Sequence, residues 1–347
     1  MANPSESTKT ETIQDIAYKL AEEQLNQLQL ENGPRERTIF ILGSKGVGKT
    51  TVINTFFDRD EAPRPTLALE YSYARKTGAA QKYICHMWEL GSLENSQQLS
   101  CIPFKNHGIE NMACVIMLDL SRPQYLWSDL MAAYEVLRDY SDRQLAHAEN
   151  SDWIYEKARE RIKKEHPDLA TLDLMPFPVV IVGGKYDLFI NCEPEMKKHI
   201  CRCLRSMAHL TGAAVLFYSQ KLQKLSKTLR DTISHLAFGT PSHPFRIHAT
   251  DYNDALSIWF GTDTWDKISS MGIQTLQSIE ANLTQEIAQE RAGGREQDIN
   301  PKLPDPAKDA GFRESIIDEM RSQKDEELRG IVRDNMQQLR GKFESVK

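Results

Sequence analysis

The chain has little of what would mark several common classes of protein. Its six cysteines, at 85, 101, 114, 192, 201 and 203, include no Cys-x-x-Cys pair. Several sit inside apolar runs, so reduced core thiols are expected in place of disulfides or zinc ligands. Cys201 and Cys203 fall on a predicted helix, where residues two apart point different ways and do not share a metal. No apolar run approaches the ~20 residues that a membrane-crossing helix needs. The start, Met1 to Thr10, is polar and lacks the apolar stretch of a secretory leader. Positive charge is not in excess: 43 Lys and Arg stand against 49 Asp and Glu, a net charge of −6. That removes the electrostatic case for a nucleic-acid partner. A soluble, intracellular protein with neither nucleic-acid binding nor membrane insertion is expected.

What the chain does have is Gly43-Ser44-Lys45-Gly46-Val47-Gly48-Lys49-Thr50, which fits the phosphate-binding pattern G-x-x-x-x-G-K-[ST]. The glycines let the backbone curl so that successive N–H groups point inward, where a Cβ would obstruct the turn. Lys49 can reach the β- and γ-phosphates of a nucleotide, and the Thr50 hydroxyl, followed by Thr51, is placed for Mg²⁺. The helix that begins here adds the positive end of its dipole. The pattern arises by chance in roughly one chain per hundred of this length at ordinary glycine usage, and its context is right. Thr38 to Leu42 is a continuous apolar run, as a buried parallel strand should be. Thr51 to Phe57 continues in a helix-compatible way.

Further motifs follow in the order expected of a nucleotide-binding α/β sheet. Thr66 to Tyr73 alternates apolar and polar residues, as a half-buried strand does. Thr66 stands before that strand, where P-loop GTPases keep a threonine that senses the γ-phosphate through Mg²⁺; a plain strand-capping role fits it equally. Ile84 to Leu90 reads as a third strand ending in Glu89-Leu90-Gly91. GTPases have Asp-x-x-Gly there, so Glu89 is a candidate Mg²⁺ ligand through a longer acid and a shorter spacing. No glutamine follows directly to orient water, so binding is expected and efficient hydrolysis is not. Val179 to Gly183 is a fifth strand leading into Gly184-Lys185-Tyr186-Asp187, which parallels the guanine-reading Asn-Lys-x-Asp. Asp187 would accept from the guanine N1–H and N2–H₂, and the Lys185 stem would lie along the base. Gly184 in place of asparagine leaves that clamp incomplete, so GTP, GDP and ATP all remain open.

The rest of the chain sets the architecture. Residues 11 to 30 read as an amphipathic helix, either packed on the domain or docked on a partner, and Asn32-Gly33-Pro34 ends it. Met112 to Leu120 is a buried strand. Residues 128 to 175 read as a helical insert with two stripes, Leu130/Tyr134/Leu137/Tyr140 and Trp153/Ala158/Ile162, separated by Asp142 to Asn150. His166 reads as a solvated loop residue. Glu195 to Leu210 and Leu222 to Phe238 are helices flanking a sixth strand, Ala213 to Tyr218. Residues 241 to 268 look irregular, and Ile273 to Ile287 is a helix. Gly293 to Asp309 is a linker, and Arg313 to Phe343 a helix too thinly apolar to be buried in a core of its own. The expected fold is α/β, a doubly wound P-loop sheet with a helical insert and flanking helices. Its divisions are an N-terminal helix (1–34), a P-loop domain (35–268) and a C-terminal segment of helices and linker (269–347).

Several of these stretches together resemble the dynein light intermediate chain family, in particular its dynein-2 branch. They are Gly43 to Lys45 with Lys49-Thr50-Thr51, Asp58-Arg59-Asp60-Glu61, Pro65 to Tyr71, Trp88-Glu89-Leu90-Gly91 and Gly184 to Asp187. Near the C-terminus Asp305 to Asp309 and Asp318 to Asp325 add to them. The resemblance spans about residues 38 to 330 and is poor over 243 to 300. It implies a Ras-like domain that is neither motor nor enzyme. Such a subunit binds and stabilises the tail of the dynein-2 heavy chain, alongside other dynein-2 subunits and intraflagellar transport particles. It supports retrograde transport and cilium assembly, and places the protein in the cytoplasm, the cytoskeleton, the cilium and its basal body. About 80 residues follow position 268, so recruitment of adaptors by a long tail of the dynein-1 kind is not expected. Two readings stand side by side: a structural subunit using the G-like domain as a docking scaffold, and a nucleotide-switching regulator with slow or no hydrolysis.

Overall fold

The computed structural model describes residues 36–60, 62–77, 82–94, 96–146, 152–239, 248–270, 272–290 and 314–344. The predicted helix over 11–30 and the linker over 293–309 lie outside them. The chain divides into two units, Met1–Gly294 and Arg295–Lys347.

The first unit is built on a seven-stranded sheet in the order β2-β3-β1-β4-β5-β6-β7. Its strands are β1 (Glu36–Gly43), β2 (Leu69–Thr77), β3 (Lys82–Leu90), β4 (Met112–Asp119), β5 (Val179–Gly184), β6 (Ala214–Phe217) and β7 (Ser257–Ile258). The five central strands run parallel, and the two outer ones, β2 and β7, antiparallel to their neighbours. β4 (MACVIMLD) and β5 (VVIVGG) are buried at every position, which is why they read as unbroken apolar runs: helices cover both faces of a parallel sheet. One face, with Phe40, Leu42, Cys114 and Ile116, packs against α2 (Gln97–His107), α3 (Leu126–Ala146) and α6 (Pro194–Thr211). The other, with Ile39, Ile41, Val115 and Met117, packs against α1 (Lys49–Phe56) and α7 (Gln223–Phe238). This is the doubly wound, Ras-like sheet expected from the sequence, with one strand more.

The structure departs from the sequence reading in five places. β2 begins at Leu69, where its pairing with Leu90 starts, so Thr66 and the 80 % exposed Leu67 belong to the preceding loop. The first helix of the expected insert does not end at Asp142. It runs to Ala146, because Asp142 is a solvent-facing partner of Arg138 one turn away at 3.4 Å and charged residues on an exposed helix face do not stop a helix. Its apolar stripe, Leu130, Ala133 and Leu137, is fully buried on the sheet, so this helix is the crossover itself. The inserted part is α4 (Asp152–Ile162) and the loop after it.

Residues 241–268, expected to be irregular, supply β7, whose two residues are too few to register as a period of two. They also supply the short α8 (Trp265–Ile268). His166 is not a solvated loop residue: Nε2 meets the Asp263 carbonyl at 2.9 Å and Nδ1 accepts from the Asp168 amide. Finally, α9 (Leu276–Glu286), which opens on a capping box between Thr275 and Ser278, buries Ile279 and Leu283 against α6 in the same core as the sheet. A division at residue 268 therefore cuts through one core.

All six cysteines are free thiols, and Cys85, Cys114, Cys201 and Cys203 are buried. Burial pushes the thiols of Cys85, Cys201 and Cys203 up to about 12, so they behave as small apolar side chains. A short four-residue helix, α5 (Tyr186–Phe189), follows β5. In the second unit α10 (Ser315–Glu344) is a single 30-residue helix. Its apolar residues Ile316, Ile317, Met320, Leu328 and Ile331 are all exposed, in keeping with the thin stripe seen in the sequence.

Candidate functional site

At the C-terminal end of β1 the chain turns through Gly43 to Gly48 into α1. Gly43 has a φ of 150° and runs so close to β4 that a Cβ would stand 2.5 Å from the Met117 carbonyl oxygen. Gly48 caps α1 in the left-handed region at φ 104°, which only glycine adopts without strain. Between them Ser44 and Val47 are buried, Lys45 is half-buried and Gly46 exposed. Val47 anchors the loop in the core beneath.

Lys49 is only 4 % exposed. Its Nζ donates to the carbonyls of Gly43 at 2.8 Å, Ser44 at 2.9 Å and Gly91 at 3.2 Å, so the ammonium is held at the mouth of the loop by the backbone. The Thr50 hydroxyl donates to Oε1 of Glu89 at 2.7 Å and lies 3.4 Å from the Thr66 hydroxyl, which in turn reaches Oε2 of Glu70 at 3.3 Å. Burial pushes the Glu89 carboxyl above its ordinary range, against the Thr50 hydrogen bond and the charge of Lys49. Three residues far apart in sequence, Thr50, Thr66 and Glu89, are thus brought together. Their oxygens are the hard donors that suit Mg²⁺. Thr51 is the third residue of α1, and its carbonyl accepts from the Thr55 hydroxyl.

Gly91 differs from what its counterpart in a switch needs. Its N–H donates to the Ala68 carbonyl at 2.7 Å, and a Cβ on it would stand 2.7 Å from the Thr66 carbonyl oxygen. The end of the loop before β2 and the end of β3 are therefore bonded to each other, one rung beyond the Leu69–Leu90 pair.

At the ends of β4, β5 and β6 the remaining predicted residues form two ion pairs. Lys185, in the left-handed region at φ 58°, donates to Oδ2 of the buried Asp119 at 2.7 Å. Burial works against the Asp119 charge, yet the bonds from Lys185 and Ser121 hold its carboxyl below the ordinary range. Asp187 accepts from Lys221 and from the Ser219 hydroxyl, both at 2.7 Å, and these bonds keep it low. The Ser219-Gln220-Lys221 stretch and the Gly184–Asp187 stretch thus meet as one constellation. Gly184 lies against the phosphate-binding loop: a Cβ there would be 3.3 Å from the Val47 carbonyl oxygen. Asp119 and Glu70 were not singled out from the sequence. The signal for Asp119 was an acid closing an otherwise wholly apolar strand.

Comparison with known proteins places these features. Residues 25–173 match the family profile of the dynein light intermediate chain (DLIC). The chain is 34 % identical over 334 residues to cytoplasmic dynein 2 light intermediate chain 1 of Mus musculus, covering 92 % of this chain and 94 % of that one. The Homo sapiens protein of that name is 34 % identical over 306 residues, covering 84 % and 86 %. The crystal structure of the conserved domain of a dynein light intermediate chain superposes with a TM-score of 0.52 at 18 % identity, over 72 % of this chain and 89 % of that one, which speaks to the fold. Among the described residues no helix is long and apolar enough to cross a membrane. With a third of its residues shared along nearly its whole length, this chain belongs to the dynein light intermediate chain family, on its cytoplasmic dynein-2 branch.

Proposed function

We propose that this dynein-2 accessory subunit binds the tail of the dynein-2 heavy chain and stabilises it, and thereby supports retrograde intraflagellar transport and cilium assembly. It works with the other dynein-2 subunits and the transport particles, in the cytoplasm and cytoskeleton and at the cilium and its basal body. Its G-like domain serves as a docking scaffold, without enzymatic turnover. The observation that carries this reading is the Gly91 amide closed onto Ala68 at 2.7 Å. With the Gly91 amide already bonded, a third phosphate would be registered by this loop pair only through Thr66 and Mg²⁺, which weakens the coupling of nucleotide state to the surface.

The phosphate-binding loop keeps a ligand-binding role in this proposal. Gly43, Ser44, Lys45, Gly46, Val47 and Gly48 would supply backbone N–H groups, Lys49 its charge and Thr50 and Thr51 their hydroxyls to GTP, GDP or ATP. Mg²⁺ would be held at Thr50, Thr66 and Glu89, where it would neutralise phosphate charge. Asp187 and Lys185 would face the base. The second reading, a nucleotide-gated regulator, is favoured by the convergence of Thr50, Thr66 and Glu89.

The test is co-purification of the heavy-chain tail with wild-type protein and with Lys49→Ala, together with a nucleotide census of each denatured complex. Equal recovery of the heavy-chain tail, with nucleotide lost only from the variant, supports the scaffold. Loss of the tail from a still-folded variant sinks it in favour of the gated regulator.

A further inference from the structure

A second cluster of chemically capable side chains lies away from the phosphate-binding loop. His166 and Asp168 stand in the loop after α4, and His209 in the last turn of α6. One potential ligand atom from each lies within 4.8 Å of the other two. We infer that His166, Asp168 and His209 form a binding site for a single divalent transition-metal cation of the zinc type, tying the loop after α4 to the helix α6.

The hydrogen bonds fix which atoms face the site. A carbonyl oxygen only accepts, so the 2.9 Å contact between His166 Nε2 and the Asp263 carbonyl puts the proton on Nε2. The Nδ1 lone pair then faces inward, toward the Asp168 amide at 3.2 Å. A metal-binding histidine ordinarily has this arrangement, with one ring nitrogen to the metal and the other N–H to a backbone carbonyl that sets the tautomer. The carbonyl is itself held in place, because the Asp263 carboxylate is gripped by Arg205 through two bonds of 2.8 Å. On the opposite side, His209 Nε2 lies 2.9 Å from Oδ2 of Asp168. That oxygen also accepts from the Trp265 amide at 3.0 Å. The Trp265 ring stands edge-on to His209 with centroids 4.7 Å apart, so the imidazole has little room to turn away.

The donor set chooses the cation. Two imidazoles and one carboxylate suit zinc and its neighbours and disfavour Mg²⁺ and Ca²⁺, which take oxygen ligands. Three protein ligands leave a fourth position for water, and the site opens on the side of Asp168, whose side chain is 20 % exposed while that of His209 is 3 % exposed. In a tetrahedral zinc site neighbouring ligand atoms stand about 3.3 Å apart, from metal–nitrogen distances near 2.0 Å, so small side-chain movements suffice. Without metal, His209 carries Nε2–H toward Asp168 and the Asp168 amide donates to His166. On binding, His209 switches tautomer: Nε2 gives up its proton to solvent and takes the cation while Nδ1 takes up a proton, so a neutral ring releases no net H⁺. The cation takes the His166 Nδ1 lone pair from the amide. Affinity falls at low pH because protonated imidazole competes with the cation.

The experiment uses the full chain, prepared without a histidine tag and stripped by chelator, then titrated with Co²⁺ and afterwards with Zn²⁺. A tetrahedral Co²⁺ visible spectrum that saturates at one equivalent, lacks a thiolate charge-transfer band and is erased by Zn²⁺ is the expected result. His166→Gln, at a partly exposed position that does not threaten the core, removes that spectrum. Arg205→Lys, which loosens the grip on Asp263 without touching a ligand, weakens Zn²⁺ binding by about tenfold. Should the stripped wild type give no such spectrum, or bind Zn²⁺ no more tightly than a folded His166→Gln, the three side chains are a hydrogen-bonded staple and the proposal is overturned.

Discussion

The amide of Gly91 donates to the carbonyl of Ala68 at 2.7 Å, so the chain before β2 and the end of β3 are fastened to each other over the phosphate-binding loop. A ligand that contacts two conformations equally shifts nothing between them, however tightly it binds. Diphosphate and triphosphate forms of the same nucleotide should therefore bind with affinities within about threefold of each other, less than ~1 kcal/mol. Calorimetry with the two forms checks this, and hydrogen exchange at Gly91 should be unchanged between them. A preference above about tenfold for the triphosphate, with loss of protection at Gly91, would refute it.

Lys49 is held by three carbonyls and is nearly buried. Lys49→Ala removes the ammonium that the Gly43, Ser44 and Gly91 carbonyls hold at the turn. Nucleotide binding is expected to fall at least ~100-fold, while the freed carbonyls cost about 1–3 kcal/mol of stability. Parallel binding and denaturant-unfolding measurements separate the two effects. A variant that unfolds at low denaturant would show that the lysine holds the loop together and is not primarily a ligand group.

Much of the fold was legible because its central strands are buried on both faces. β1, β4, β5 and β6 announce themselves as apolar runs, and the turn after β1 carries a motif whose glycines are needed for backbone reasons. Thr50, Thr66 and Glu89 could be proposed as a group from motif order alone, and the structure brings them into contact. What escaped was decided by contacts distant in sequence. β7 is two residues long and exists only because β6 offers it an edge. α9 looks like the start of a separate segment until Ile279 and Leu283 are seen in the main core. His166 is flanked by Lys, Glu and Pro, the composition of a loop in water, and only Asp263, 97 residues away, gives it a partner.

Glu89 offers a pH prediction. Burial raises its carboxyl above its ordinary value of 4.5 in the folded state. The folded chain therefore holds a proton that the unfolded chain has released, and stability falls as pH rises from 4.5 through the raised folded value. Glu89→Gln keeps an oxygen to accept from Thr50 but has nothing to ionise. The variant should lose this part of the pH slope and gain about 2 °C in thermal midpoint at pH 7. Its nucleotide binding should no longer respond to Mg²⁺. Melting curves from pH 4 to 8 decide it: parallel wild-type and variant profiles would mean that Glu89 is charged and well compensated in the folded state.

Gly261 and Gly272 form a natural pair for separating backbone strain from crowding. Both adopt the left-handed region, at φ 59° and 69°, so an alanine at either meets the same conformational penalty of about 1–2 kcal/mol. Their surroundings differ. A Cβ on Gly272 meets nothing within 4 Å, whereas one on Gly261 would stand 2.3 Å from the Ile162 carbonyl oxygen and 2.8 Å from its Cα. Those are backbone atoms at the end of α4, which cannot rotate away as a side-chain tip would. Gly272→Ala should therefore cost about 1–2 kcal/mol and Gly261→Ala at least about 2 kcal/mol more, in the range of an overpacked core. Because Gly261 lies between β7 and Asp263, the larger loss should come with exposure of Trp259 and Trp265, seen as a change in tryptophan fluorescence before global unfolding. Equal costs at the two glycines would mean that α4 yields to the stretch beside β7, and that the close approach of Ile162 to Gly261 contributes nothing to holding the inserted helix in place.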